Sequence, residues 1–188
     1  MAQRRASKRE LLLQQMPMGE VCAEIGVWEG NFSAEIIEIT RPRLFHLIDP
    51  WKYETDEVYK DACYGGRKAT SQEQMDAVYN RVAERFAAQI QAGTVVIHRS
   101  PSSDAVSAFP DGYFDWIYID GNHLYEFVKL DLELWYSKVK RGGYLTGDDY
   151  VEGRWWQGGV KRAVDEFSSR NNFEPLIIGK LSCSAGGW

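Results

Sequence analysis

Short runs of aliphatic and β-branched residues recur along the chain, separated by longer stretches whose apolar positions fall three and four apart. Val21–Ile25, Leu44–Ile48, Thr94–His98, Trp116–Ile119, Tyr144–Thr146 and Leu176–Ile178 read as strands. Between them, Phe32, Ile36 and Ile39 share one helical face, and Met75, Val78, Val82, Phe86 and Ile90 form a longer one. Val128, Leu132 and Trp135 make a third stripe, and Val160, Ala163, Val164 and Phe167 a fourth. Strands alternating with helices predict a doubly wound α/β fold, a mostly parallel sheet flanked by helices on both faces.

Three segments depart from that rhythm. Residues 1–10 (MAQRRASKRE) are polar and basic, so 1–15 reads as an N-terminal lead-in, mobile or opening a surface helix. The stretch Trp51–Ser71 is long, polar and aromatic, with a flexible Gly65-Gly66 pair. A connection of that length is expected to be a lid or substrate loop. The closing LSCSAGGW carries no strand signal, although sheets of this kind often finish with an antiparallel edge pair.

Composition narrows the class. The 188 residues suit one domain, 1–188, and 44% apolar with 26% charged residues is ordinary for a folded chain. A net charge of −5 argues against a general nucleic-acid or anionic-membrane partner, because both need a dominant basic surface. Apolar runs are too short for a membrane-spanning helix, and Gln14 and Gln15 cut off Leu11–Leu13 before it resembles a signal-peptide core. Cys22, Cys63 and Cys183 have neither C-x-x-C spacing nor an even count, so reduced thiols and a cytoplasmic location are expected.

The chemistry gathers at strand ends. The first strand runs into Glu24-Ile25-Gly26-Val27-Trp28-Glu29-Gly30, with a helix starting at Asn31 or Phe32. Glycines there permit a sharp turn and close approach of a ligand to backbone. The second strand ends in Asp49, 23 residues beyond Gly26, where an acidic residue accepts hydrogen bonds from ribose hydroxyls in open α/β sheets. An adenosine-type ligand follows. A dinucleotide fingerprint wants glycine at the middle position, where Trp28 would block a pyrophosphate. The E-x-G-x-x-x-G turn instead resembles the first motif of class I S-adenosylmethionine-dependent methyltransferases. A nicotinamide-dependent oxidoreductase and a non-catalytic adenosyl-ligand binder are the alternatives.

Asp120 closes the strand of Asp115-Trp116-Ile117-Tyr118-Ile119-Asp120-Gly121-Asn122-His123, and Asp148-Asp149 follow the next strand. Carboxylates converging on one rim repel unless neutralised, and a hard divalent cation such as Mg²⁺ would do so. Helix capping by Asp148 or Asp149 is the plainer alternative. The linked EIGVWEG, LIDPW, IDGNH and GDDY segments, from about Val21 to Phe167, are similar to the metal-dependent O-methyltransferases that include macrocin O-methyltransferase. That resemblance implies S-adenosylmethionine contacts at Glu24, Gly26, Trp28, Gly30, Asp49, Ser102 and Asp120, and metal ligation by Asp120, Asp148 and Asp149. It also implies methyl transfer to a small-molecule hydroxyl, on a sugar or a phenol, and a homo-oligomer by analogy.

His123, three residues after Asp120, is expected to be the general base that takes the hydroxyl's proton. Catechol-type relatives place a lysine at the equivalent spacing. Its alternative is a hydrogen bond to Asp148 or Tyr150 that orders the loop. Trp51, Trp155 and Trp156 flank the rim and would either stack on a ligand or pack; His46 and His98 lie in strand runs and read as core or rim histidines.

Overall fold

A computed structural model describes residues 6–172, 174–178 and 181–185. Seven strands form one sheet: β1 (Val21–Ile25), β2 (Leu44–Ile48), β3 (Val95–His98), β4 (Phe114–Ile119), β5 (Val139–Gly147), β6 (Leu176–Ile178) and β7 (Leu181–Ala185), in the order β3-β2-β1-β4-β5-β7-β6. The first five run parallel, and β7 inserts antiparallel between β5 and β6. Strand order reverses between β2 and β4, on either side of β1. The loops leaving β1 and β4 part there, opening a crevice beyond the carboxyl ends.

All five residues of β1 are buried, as expected of a strand covered on both faces. Their alternation splits the core. Cys22, Trp116 and Tyr118 join Phe32, Ile36, Trp51, Met75 and Val82 on one side. Val21, Ala23, Ile25 and Ile117 meet Val128, Leu132, Trp135, Val160 and Phe167 on the other. The helices are α1 (Lys8–Leu13), α2 (Asn31–Thr40), α3 (Gln72–Arg85), α4 (Ala87–Gln91), α5 (Ser102–Ala105), α6 (Tyr125–Tyr136) and α7 (Gly159–Asn171). Among the described residues no helix is long and apolar enough to cross a membrane.

Three segments differ in detail from the sequence reading. The lead-in contains a docked helix: Ser7 and Glu10 form a reciprocal capping box at α1, and Leu12 and Leu13 are each 1% exposed. Burying such side chains stabilises by roughly 1.5–3 kcal/mol apiece, enough to hold a six-residue helix that would not persist alone. The stripe from Met75 to Ile90 is two helices, because Phe86 leaves helical geometry (φ −104°, ψ 16°) and Ile90 turns outward. LSCSA, which carries no strand signal of its own, is a strand of the antiparallel kind with which such sheets often finish; its ladder partners on β5 and β6 supply what its own residue preferences do not.

Candidate active site

Gly26 is the point at which the chain turns out of β1. It follows β1 with φ +90°, and a Cβ there would stand 2.1 Å from the carbonyl oxygen of Asp120. Asp120 in turn donates its N–H to Ile25 O at 2.7 Å, so β1 and β4 touch backbone to backbone where the crevice begins. The turn that follows is organised by Asp49. Its Oδ2 accepts the N–H groups of Val27 (2.9 Å) and Trp28 (3.0 Å), and its Oδ1 accepts that of Trp51 (2.7 Å). Burial pushes the Asp49 carboxyl upward, and these three bonds pull against that. Asp49 thus fixes the turn whose left-handed Trp28 (φ +52°) takes the place of a flexible glycine.

Glu24, buried in β1, accepts a hydrogen bond from Ser33 Oγ. Burial raises its carboxyl to about 8 despite that bond. Farther along, Ser102 at the start of α5 donates through Oγ to Asp131 Oδ1 at 2.5 Å. Burial lifts the Asp131 carboxyl to about 6, the serine bond opposing. Sequence reasoning passed over Asp131, yet a signal exists: it lies between Val128 and Leu132 on the buried stripe of α6, where a carboxylate has no structural reason to be.

The acidic rim is arranged differently from the expected triad. Asp120 Oδ1 lies 3.3 Å and Asp149 Oδ2 3.0 Å from His123 Nε2. These three side chains offer donor atoms that all fall within 4.8 Å of one another. Burial disfavours charge on His123, but the two carboxylates outweigh it and lift the imidazole to about 9. Neither ring nitrogen has a hydrogen bond of good geometry. Asp148 stands apart, with Arg9 of α1: Nη2 of the guanidinium is 2.7 Å from both Asp120 Oδ2 and Asp148 Oδ2. The plainer role for His123, a bond to Asp148 or Tyr150, is not what forms; the Tyr150 hydroxyl goes to Asp165 instead.

A cavity of about 590 Å³ joins both ends. Glu24, Gly26, Trp28, Asp49, Ser102 and Asp120 line it together with His123, Asp131 and Asp149. Two expected residues do not. Asp148 is turned toward Arg9, and Gly30, the left-handed N-cap of α2, abuts the Phe86 ring, which a Cβ would approach to 2.8 Å. Gly30 is therefore a packing glycine here.

Aromatic groups wall the other side. Trp156 is 5% exposed and lies 4.7 Å from the His123 ring, centroid to centroid, with Trp155 at 5.9 Å. Trp51 belongs to the core, its indole N–H donating to Trp28 O. In the 51–71 segment, Lys52, Cys63, Tyr64 and Arg67 face the cavity, and Asn122 Nδ2 donates to the Tyr59 hydroxyl at 2.9 Å, tying the segment to the loop after β4. His46 and His98 lie away from the cavity, paired Nδ1 to Nε2 at 2.9 Å.

Comparison with known proteins gives the family and the fold. The family described as "Methyltransferase domain" matches residues 23–150. Solved structures share the fold: the O-methyltransferase NovP (22% identity, TM-score 0.67, covering 96% of this chain and 80% of that one), and a caffeoyl-CoA O-methyltransferase described as putative from Staphylococcus aureus (15%, 0.63, 96% and 80%). TomG of Streptomyces achromogenes, an O-methyltransferase solved with S-adenosylmethionine, is similar at 15% identity and TM-score 0.61, over 96% and 78%. An uncharacterised protein of Acanthamoeba polyphaga mimivirus is 42% identical over 50 residues, 27% of this chain and 22% of its own length, so the chain spans under a quarter of that relative. With the family match covering most of the chain and the strand order of its sheet, the protein belongs to the methyltransferase-domain family and has the fold of the class I S-adenosylmethionine-dependent methyltransferases.

Proposed function

We propose that the protein transfers the methyl group of S-adenosylmethionine to a hydroxyl of a small molecule, with a divalent cation held by Asp120, His123 and Asp149. The observation that carries this reading is the continuity of one cavity from the Glu24–Gly26–Asp49 turn to that trio. The donor set suits a cation: two carboxylates and an imidazole converge, and the imidazole nitrogens lack well-formed hydrogen bonds. An imidazole among the donors also admits Mn²⁺ or Fe²⁺ beside the Mg²⁺ expected from oxygen ligands alone.

When bound, S-adenosylmethionine supplies the methyl group and the cation an acidified hydroxyl in a fixed place. The chain supplies position and charge. Asp120 puts negative charge beside the cationic methionine end of the cofactor and Glu24 offers carboxyl oxygens there, while Ser102 and Asp131 offer polar atoms for its adenosine end. Asp49 holds the turn and keeps a lone pair on Oδ1 for a ribose hydroxyl. Trp155, Trp156 and the 51–71 segment exclude water from the acceptor and present aromatic faces to it, the segment acting as a lid. His123, expected from its spacing to be a base, has its Nε2 turned to the two carboxylates, which favours the role of cation donor.

Calorimetry tests this reading. S-adenosylhomocysteine should bind to the full chain and NAD should not, and Mn²⁺ should bind with an affinity that Asp149→Asn reduces at least tenfold. NAD binding tighter than that of S-adenosylhomocysteine, or no response to any divalent cation, would contradict it. His123→Ala should cost Mn²⁺ affinity along with turnover; lost turnover at unchanged Mn²⁺ affinity would return His123 to the role of base.

A further inference from the structure

Arg9 reaches across the chain to the ends of two strands. Its Nη2 donates to Asp120 Oδ2 and Asp148 Oδ2, and its Nε donates to Asp148 Oδ2 at 3.1 Å, over sequence separations of 111 and 139 residues. The guanidinium lies 4.7 Å from the centroid of the Phe32 ring, which fixes its plane. Each contact leaves something oriented. With Oδ2 of Asp120 held by Arg9, Oδ1 is the oxygen that faces His123. Asp148 is engaged through both oxygens: Oδ2 takes both Arg9 bonds and the Tyr118 hydroxyl at 3.4 Å, and Oδ1 accepts the Asp149 N–H at 2.7 Å. That last bond pins Asp149 in a left-handed conformation (φ +56°), from which its own Oδ2 meets His123.

We propose that Arg9 is a positioning residue for the Asp120–His123–Asp149 trio, acting on Asp120 directly and on Asp149 through Asp148, so that the N-terminal helix is part of the active site. This inference rests on the cation-binding reading above. The rival account is that Arg9 merely neutralises an acidic rim. The two predict opposite signs. If Arg9 only supplies charge, its removal leaves the rim more negative and tightens cation binding. If it positions the donors, its removal loosens them and weakens binding.

The probe is Mn²⁺ alone, titrated into the full chain with the free ion followed by electron paramagnetic resonance, and folding checked by circular dichroism. Arg9→Gln and Asp148→Asn should each weaken Mn²⁺ binding by roughly 10- to 100-fold, as loss of a group that orients metal donors does. The double variant should lose little beyond the weaker-binding single, because both changes break one chain of contacts. Arg9→Lys should restore only part of the affinity, since an ammonium keeps the charge but not the fork that spans two carboxylates. Asp148→Asn breaks the same chain without altering α1, so the idea stays testable if Arg9 variants fail to fold. Unchanged or tighter Mn²⁺ binding in Arg9→Gln overturns the inference, as do additive losses in the double variant. If the wild type itself binds no Mn²⁺, the cation reading falls and this inference falls with it.

Discussion

A single missing Cβ sets the shape of the crevice. At Gly26, φ is +90° and any side chain would run into the Asp120 backbone at 2.1 Å, whereas Gly112 (φ +65°) has nothing within 4 Å. Gly112→Ala should therefore cost about 1 kcal/mol of backbone strain alone. Gly26→Ala should cost about 3 kcal/mol or more, since β1 and β4 must also move apart. Urea unfolding of the two variants checks the contrast, and equal losses would contradict the tight contact. Buried titratable residues make two further demands at this scale. Burial, with His98 beside it, lowers His46 to about 4, so the folded state keeps it neutral while the unfolded chain takes a proton near 6.5. Stability should fall as pH drops from 6.5 to 4, by at most about 3 kcal/mol, and His46→Phe should flatten that limb. Glu24 has the reverse sign. Its raised folded value, about 8, means that the folded state holds the proton more tightly, so stability is lost as pH rises from 4.5 to 8. In cofactor-free protein, Glu24→Gln should remove its share of that loss, seen as a shallower decline in melting temperature, with Asp131 and His123, both raised, keeping the remainder.

The 51–71 segment shows what short elements do when no regular one is present. A single turn, Glu57–Tyr59, and a wider one, Cys63–Arg67, pack on each other, and Gly65 sits where a Cβ would be 2.2 Å from the Tyr59 carbonyl oxygen. The hydroxyl of Tyr59 is the tie to Asn122. Tyr59→Phe should release about 1 kcal/mol of that tie, and amide exchange across 57–67 should quicken by about fivefold while exchange in β1 and β4 is unchanged. Uniform exchange rates in the two proteins would mean that apolar packing alone holds the segment. Elements were legible in the sequence wherever burial is two-sided and local. Strands β1, β2 and β4 are apolar but for Glu24, His46 and Asp115, and α6 and α7 carry clear stripes. What could not be read was decided at long range. LSCSA becomes β7 only because β5 and β6 offer it ladders, and the Met75–Ile90 stripe breaks because Phe86 turns to fill the space against Gly30.

Across the whole molecule, the site is assembled from chain segments as distant as α1 and the loop after β5. The turn at Glu24–Gly26, the acid at Asp49 and the rim at Asp120–Asp149 follow from strand order, since a parallel sheet brings successive carboxyl ends together. That part is legible in the sequence. The division of labour on the rim is not: among Arg4, Arg5, Lys8 and Arg9, no local pattern marks the one that reaches Asp120 and Asp148. Once Arg9 claims Asp148, the third donor facing Asp120 and Asp149 is His123. An anomalous-difference map reads that exchange of partners most directly. In crystals grown with S-adenosylhomocysteine and Mn²⁺, data collected at the manganese edge should show one peak in the crevice. That peak should lie about 2.2 Å from an oxygen of Asp120, an oxygen of Asp149 and Nε2 of His123, with Asp148 still in the fork of Arg9. A peak bound by Asp148 with Arg9 displaced, or no peak beside Asp120 at all, would contradict this assignment.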